Sequence, residues 1–347
     1  MHIIVDIRTQ TPADNIAPYV GKAWADLWKR HKPTDQISFL IYEHQHIDVD
    51  IDCIVASYPW GPFGKKKLIA KKSNQVFRVL SFSHMSPYDP SIPTLSHIWT
   101  NAPVLYPTSL ESSLMSRFHM WNYKRGIQKN THIIVPHIQI GHELVELYNI
   151  GEDRIDIIPA IPLPQYTETA PMQQIHAPNP YYIYDGSYGH EADIIGLLAA
   201  WERYRHDGGT YDLYLLGSAG ESLSDLTQTI RSFDIHTSVK YLSVLDEGSA
   251  HILYRNAGGW IYTGSYYGGG PMIERARAYG LPMLLSDIPV LSAYDGIKIH
   301  PNHKHDIIRG LHSLESTSRT SPYTRDTGEK MYIHAYEKIL ATNSIDK

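Results

Sequence analysis

The feature that most constrains this chain is an alternation that runs twice. Short apolar, β-prone runs are separated by amphipathic helical stretches, and the series is broken once, at residues 159–180. That break, PAIPLPQYTETAPMQQIHAPNP, holds six prolines and no apolar period, so it reads as a linker. Strands separated by helices pair in parallel, and each half therefore predicts a doubly wound α/β sheet. With 347 residues the chain is long enough for two such cores.

In the first half, strands are expected at 3–7, 37–42, 53–56, 76–82, 132–136 and 154–158, with helices at 19–30, 111–129 and 141–148. In the second half they fall at 181–184, 211–216, 239–242, 260–263, 283–286 and 298–299. Helices are expected there at 192–205, 223–233, 249–256, 272–279 and 306–314, and a last one at 326–341. The domain boundaries that follow are 1–163, a linker at 164–180, 181–322, and a terminal helical segment at 323–347. Two doubly wound domains facing across a cleft suit an enzyme with two substrates.

Composition narrows the classes. A net charge of −5 gives no global reason to expect nucleic acid as a partner. The single cysteine, Cys53, excludes a disulfide framework and is expected to be a small buried residue beside Ile51 and Ile54. No run approaches the ~18 apolar residues that span a bilayer, and MHIIVDIR reads as a strand rather than a leader, so a cytoplasmic protein is expected. Residues 63–75 carry Lys65, Lys66, Lys67, Lys71 and Lys72 around an apolar centre. That pattern fits either peripheral contact with the inner membrane face or a solvated helix face. There are 25 Tyr against 6 Phe, which fits sugar or nucleotide contact and fits amphipathic packing equally well. His300, His303 and His305 cluster without a supporting carboxylate pattern, so no metal site is assigned.

Residues 257–290 hold the clearest chemical signal. Gly268, Gly269 and Gly270 follow a short strand, and Pro271 stands where a first helical residue would. Gly280 and Pro282 mark the helix end. A glycine loop that feeds a helix N-terminus offers unpaired N–H groups and the helix dipole to an anion. His84, just past the strand at 76–82, lies where open sheets bind ligands, although a capped loop histidine fits the position as well.

The stretches HIIVPHIQIGHELVELYNIGEDRIDIIPAIP, YYIYDGSYGHEADIIGLLAAW, YDLYLLGSAGE, VKYLSVLDEGSAHILYRNAGGWIYTGSYYGGGP and RARAYGLPMLLSDIPVL, in that order, resemble the retaining GT-B glycosyltransferases of glycosyltransferase family 4. The resemblance covers most of the chain and implies two Rossmann-like domains, the second holding a nucleotide-sugar, with the last helix crossing back to the first. It implies a metal-independent transferase that moves a sugar from a nucleoside diphosphate, UDP or GDP, to a glycan, lipid-linked or protein acceptor. His84 matches the family's histidine beside the donor sugar. The N-terminal loop near the donor phosphate falls at residues 14–19, including Asn15 and Ala17, without its glycines. Gly186, Ser187, Gly217, Gly268, Gly269 and Gly270 match donor-binding positions. The family's Arg/Lys pair would fall near Glu191 and Ala192, so both cations are missing. Its two glutamates fall on Tyr267 and Arg275, with Glu274 one residue away. The implied catalytic pair is His84 and Glu274. Tyr267 and Arg275 are then donor contacts, and a weakened or inactive binding subunit is the alternative.

Overall fold

The computed structural model describes residues 2–8, 16–42, 51–56, 78–82, 94–106, 121, 124–128, 132–160, 177–219, 222–243, 245–320, 329–330 and 333–337. It divides into two compact units, Met1–Ile161 with Arg325–Lys347, and Pro162–Thr324.

The first unit contains β1 (His2–Asp6), α1 (Ile16–His31), β2 (Gln36–Tyr42), β3 (Asp52–Ala56), β4 (Arg78–Ser81), β5 (Thr94–His97), α2 (Ala102–Leu105), β6 (His132–Val135), α3 (Ile138–Tyr148) and β7 (Ile155–Ile157). Among the described residues the strands pair in parallel in the order β3-β2-β1-β4-β5-β6-β7. The order reverses between β1 and β4, which makes that pair the switch point.

Sheets covered on both faces are built from continuous apolar runs, as in β1 and β2. Helix α1 packs Val20, Trp24, Leu27 and Trp28 into this core at helical spacing. The Trp24 and Trp28 rings stack 5.1 Å apart, and Tyr336 from the C-terminal residues lies 5.7 Å from Trp24. Ile333 joins the same core, while Lys32 pairs with Glu337 at 2.6 Å. The described C-terminal residues therefore pack within the first unit.

Three expectations change here. Cys53 is exposed rather than buried, because β3 is the edge strand and Val55 beside it is also exposed. Ala17 is not a loop residue: α1 begins at Ile16, three residues earlier than the apolar spacing indicates, and Ala17 is buried in the core. Strand β5 was not anticipated at all. Thr94, Ser96 and His97 are buried polar residues, so no apolar run marks them. His97 stacks between Phe82 (5.0 Å) and Trp99 (4.7 Å), and its Nε2 hydrogen-bonds the Tyr336 hydroxyl.

The second unit contains β8 (Tyr181–Asp185), α4 (Ile194–His206), β9 (Asp212–Leu216), α5 (Leu223–Ser232), β10 (Val239–Ser243), α6 (Glu247–Asn256), β11 (Gly259–Tyr262), α7 (Pro271–Ala278), β12 (Met283–Ser286), β13 (Ile297–Ile299) and α8 (Lys304–Glu315). Its sheet is parallel in the order β10-β9-β8-β11-β12-β13, and the switch point lies between β8 and β11. Helix α4 starts two residues later than expected. Asp193 adopts a left-handed conformation (φ 48°) and caps the helix, its Oδ1 accepting from Gly196 N at 3.2 Å.

Candidate ligand site at the carboxyl edge of the second sheet

Ligands of open α/β sheets bind outside the carboxyl ends of the strands, at the switch point. In the second unit, β8 ends on Asp185 and continues into Gly186 and Ser187, while β11 continues into residues 263–270. These two loops are joined through their backbones. Ser265 N donates to Glu191 O at 2.7 Å. A Cβ on Gly264 would stand 2.4 Å from that oxygen and 2.7 Å from Ala192 Cα, so only glycine permits the approach. The loop after β9 joins the same edge: Gly217 has φ +97°, and a Cβ there would lie 3.0 Å from Gly186 O.

Tyrosine hydroxyls hold these loops in place. Tyr188 donates to Leu216 O (2.9 Å), Tyr241 to Gly217 O (3.0 Å), Tyr262 to Tyr266 O (2.6 Å), and Tyr184 to Ser187 O. Tyr241 also accepts from Ala219 N at 3.0 Å. Much of the tyrosine excess therefore has a structural use, since each ring fills the core while its hydroxyl satisfies a loop carbonyl.

The glycine loop Gly268–Gly270 enters α7 with Gly270 extended at the N-cap and Pro271 at the first helical position. Tyr267 folds under it, against Tyr262 (4.8 Å) and Trp260 (6.3 Å). Its hydroxyl donates to Gly270 O at 3.0 Å and accepts from Ile273 N at 3.4 Å. One of the free amides of the helix N-terminus is thus capped by the protein's own side chain.

On α7, Glu274 is 5% exposed and accepts the Tyr294 hydroxyl at 2.8 Å. Arg277 Nη1 lies 3.6 Å from the same oxygen. Burial raises the Glu274 carboxyl above its ordinary value, opposed by Arg277 and by the Tyr294 hydrogen bond. Arg275, 7% exposed, sits over the Tyr254 ring at 5.3 Å. The Tyr254 hydroxyl in turn donates to Asp185 Oδ2 at 2.7 Å, so α7, α6 and the end of β8 meet in one polar group.

The structure brings Gly186, Ser187, Gly217, Tyr267, Gly268, Gly269, Gly270, Glu274 and Arg275 to one edge of one sheet. His84, Asn15, Lys65, Lys66, Lys67, Lys71 and Lys72 lie outside the described residues. Asp185, Tyr254 and Tyr294 join this edge but were not singled out from the sequence, and Glu191 was named there only as the place of the missing cation pair. Asp185 was findable, since it ends a strand at the switch point, whereas Tyr254 and Tyr294 reach in from elements with no local signal. Among the described residues, no cluster of three or more His, Cys, Asp or Glu side chains is arranged to hold a metal ion. Asp306 accepts from Arg309 (2.6 Å) and His300 N (3.4 Å), and it lies 3.4 Å from His303, so the histidine run is tied to a helix start. No described helix is long and apolar enough to cross a membrane.

No family model and no curated protein matches the chain by sequence. Its structure is similar to that of a sucrose-phosphate synthase from Thermosynechococcus elongatus, with 13% identity, 98% of this chain and 99% of that one covered, and a TM-score of 0.66. It is similar to Anabaena HepE, solved in complex with UDP and glucose, with 13% identity, 99% of each chain covered and a TM-score of 0.65. It is also similar to WaaG, a glycosyltransferase involved in lipopolysaccharide biosynthesis, with 11% identity, 97% of this chain and 95% of that one covered, and a TM-score of 0.64. At such identities the likeness concerns architecture, and with the two parallel sheets it establishes the GT-B fold.

Proposed function

We propose that this chain is a glycosyltransferase that moves a sugar from a nucleoside diphosphate to an acceptor hydroxyl. The observation that carries the reading is the Gly268–Gly270 loop, opening on the N-terminus of α7 at the switch point of a GT-B fold. The Anabaena HepE complex with UDP and glucose supports a nucleotide-sugar donor, and the carrier is UDP or GDP. Loop amides and Arg275 hold the diphosphate, and the segments at Gly186, Ser187 and Gly217 hold the nucleotide. Glu274 contacts ribose or sugar, and His84 positions the donor sugar, with Asn15 nearby. The sugar–phosphate bond breaks, the acceptor oxygen takes the sugar with retention, and the acceptor proton passes to the leaving phosphate. Fixed dipoles and Arg275 stabilise the developing charge without a metal. The acceptor is a glycan, a lipid-linked sugar or a protein, reached at the inner membrane face through the Lys65–Lys72 segment.

A second reading, a binding subunit without turnover, is favoured by one observation. Tyr267 and Glu191 stand where the resemblance places an acid and a cation, and the Tyr267 hydroxyl already caps a loop-helix amide. A panel of nucleotide-sugars separates the two. Release of nucleoside diphosphate, lost in His84→Ala and unchanged by EDTA, supports transfer. Thermal stabilisation by nucleotides without release on any donor supports the binding subunit.

A further inference from the structure

Glu191 lies on the floor of the β8–β11 switch point, its carbonyl bound by Ser265 N and its backbone covered by Gly264. The residue as a whole is 8% exposed. Oε1 accepts the Ser187 hydroxyl at 2.6 Å. The carboxylate folds over Gly189, where a Cβ would meet Oε2 at 2.1 Å. No other hydrogen bond and no ion pair reaches this carboxylate among the described residues, and Oε2 keeps contact with solvent. A carboxylate oxygen that meets only water can exchange that water for a ligand donor at little cost. In a nucleotide-sugar, which carries no cation, the groups that can do so are neutral donors, chiefly the hydroxyls of ribose and sugar. A phosphate placed against it would be repelled, whereas the amides of the Gly268–Gly270 loop at the N-terminus of α7 suit one.

We propose that Glu191 is a specificity-determining residue that binds a vicinal diol of the ligand, while the diphosphate lies towards the glycine loop. This rests on the nucleotide-sugar reading and refines it. The diol is that of the ribose or of the donor sugar, which share this chemistry. Site polarity then runs in one sense along the edge, with a carboxylate for hydroxyls at the β8 loop and amides for phosphate at α7.

The test measures binding by calorimetry for UDP, GDP, their 2′- and 3′-deoxy forms, UDP- and GDP-sugars with deoxygenated sugars, and pyrophosphate alone. A hydroxyl bound to a carboxylate is worth roughly 10- to 100-fold in affinity. The wild type is expected to lose about that factor when one hydroxyl is removed, from ribose if the diol is ribosyl and from the sugar if it is glycosyl. Glu191→Gln should shrink the discrimination and Glu191→Ala abolish it, while pyrophosphate binds both variants at least as well as the wild type. Equal affinity of the wild type for all deoxy forms overturns the proposal without needing any variant. Discrimination that persists in Glu191→Ala overturns it too, by assigning the carboxylate a structural role. Failure of every nucleotide and nucleotide-sugar to bind overturns the functional reading along with it.

Discussion

The two sheets carry topologically matched switch points, and their electrostatics differ. In the first unit, Asp6 ends β1 and is closed by its own chain. Arg8 Nε reaches Oδ1 at 2.8 Å, Arg8 Nη2 reaches Oδ2 at 2.7 Å, and the Ser81 hydroxyl from β4 adds a bond at 3.3 Å. Both partners are buried, and the pair is bidentate and charge-matched. In the second unit, Asp185 ends β8 and takes a tyrosine hydroxyl, and Glu191 in the next loop takes only a serine. A crevice whose charges are matched within the protein has little capacity left for a ligand. One that holds a carboxylate met by a single neutral donor, as Glu191 is, retains it. The contrast fits the donor site proposed for the second sheet and gives the Asp6–Arg8 pair a structural duty.

The largest effect that would test this contrast is on Arg8. Arg8→Met removes the guanidinium that neutralises the buried Asp6, and it should destabilise the protein by about 3–5 kcal/mol. Urea denaturation reads this, and adding Asp6→Asn should recover much of the loss. A change well under 1 kcal/mol would mean that the first crevice is not sealed by its salt bridge. Next comes Gly264→Ala. The new Cβ has no room against Glu191 O and Ala192, and with overpacking typically costing about 1–3 kcal/mol, melting temperature should drop and nucleotide binding with it. A variant that binds normally would uncouple the β8 and β11 loops.

Tyr267→Phe should cost about 1 kcal/mol, the usual worth of one hydrogen bond. It frees Ile273 N, so pyrophosphate affinity should rise in the same calorimetric assay. No rise would show that this amide does not face the anion. The smallest effect is the pH dependence at Glu274. Burial raises its folded carboxyl, so the folded state holds the proton to higher pH than the unfolded chain does, and stability falls as pH rises from about 4.3 through the folded value. Glu274→Gln lacks this fall. Its melting temperature should gain on the wild type as pH rises above about 4.3, and parallel curves would contradict the burial argument.

Apolar runs and helix punctuation located most strands and helices, and they failed in a physically consistent way. Strand β5 escaped because Thr94, Ser96 and His97 are buried by hydrogen bonding and stacking rather than by apolarity, and the Tyr336 partner lies far along the chain. Cys53 was misjudged because hydrophobic neighbours do not reveal which strand sits at an edge. At the site, the glycine loop and Pro271 were legible because backbone requirements are written locally. The Asp185–Tyr254 and Glu274–Tyr294 bonds were not legible, since they join elements across 69 and 20 positions.

The tyrosines that fasten the second sheet's edge give it an optical property. Burial pushes the hydroxyls of Tyr184, Tyr254 and Tyr267 well above the ordinary phenol range, so none of the three ionises while its loop stays in place. Phenolate absorbance in an alkaline titration should therefore rise in two phases. Exposed rings ionise gradually, and these appear together only when the edge opens. The second phase should shift to higher alkalinity when a ligand binds there, which makes phenolate absorbance a label-free reporter of occupancy.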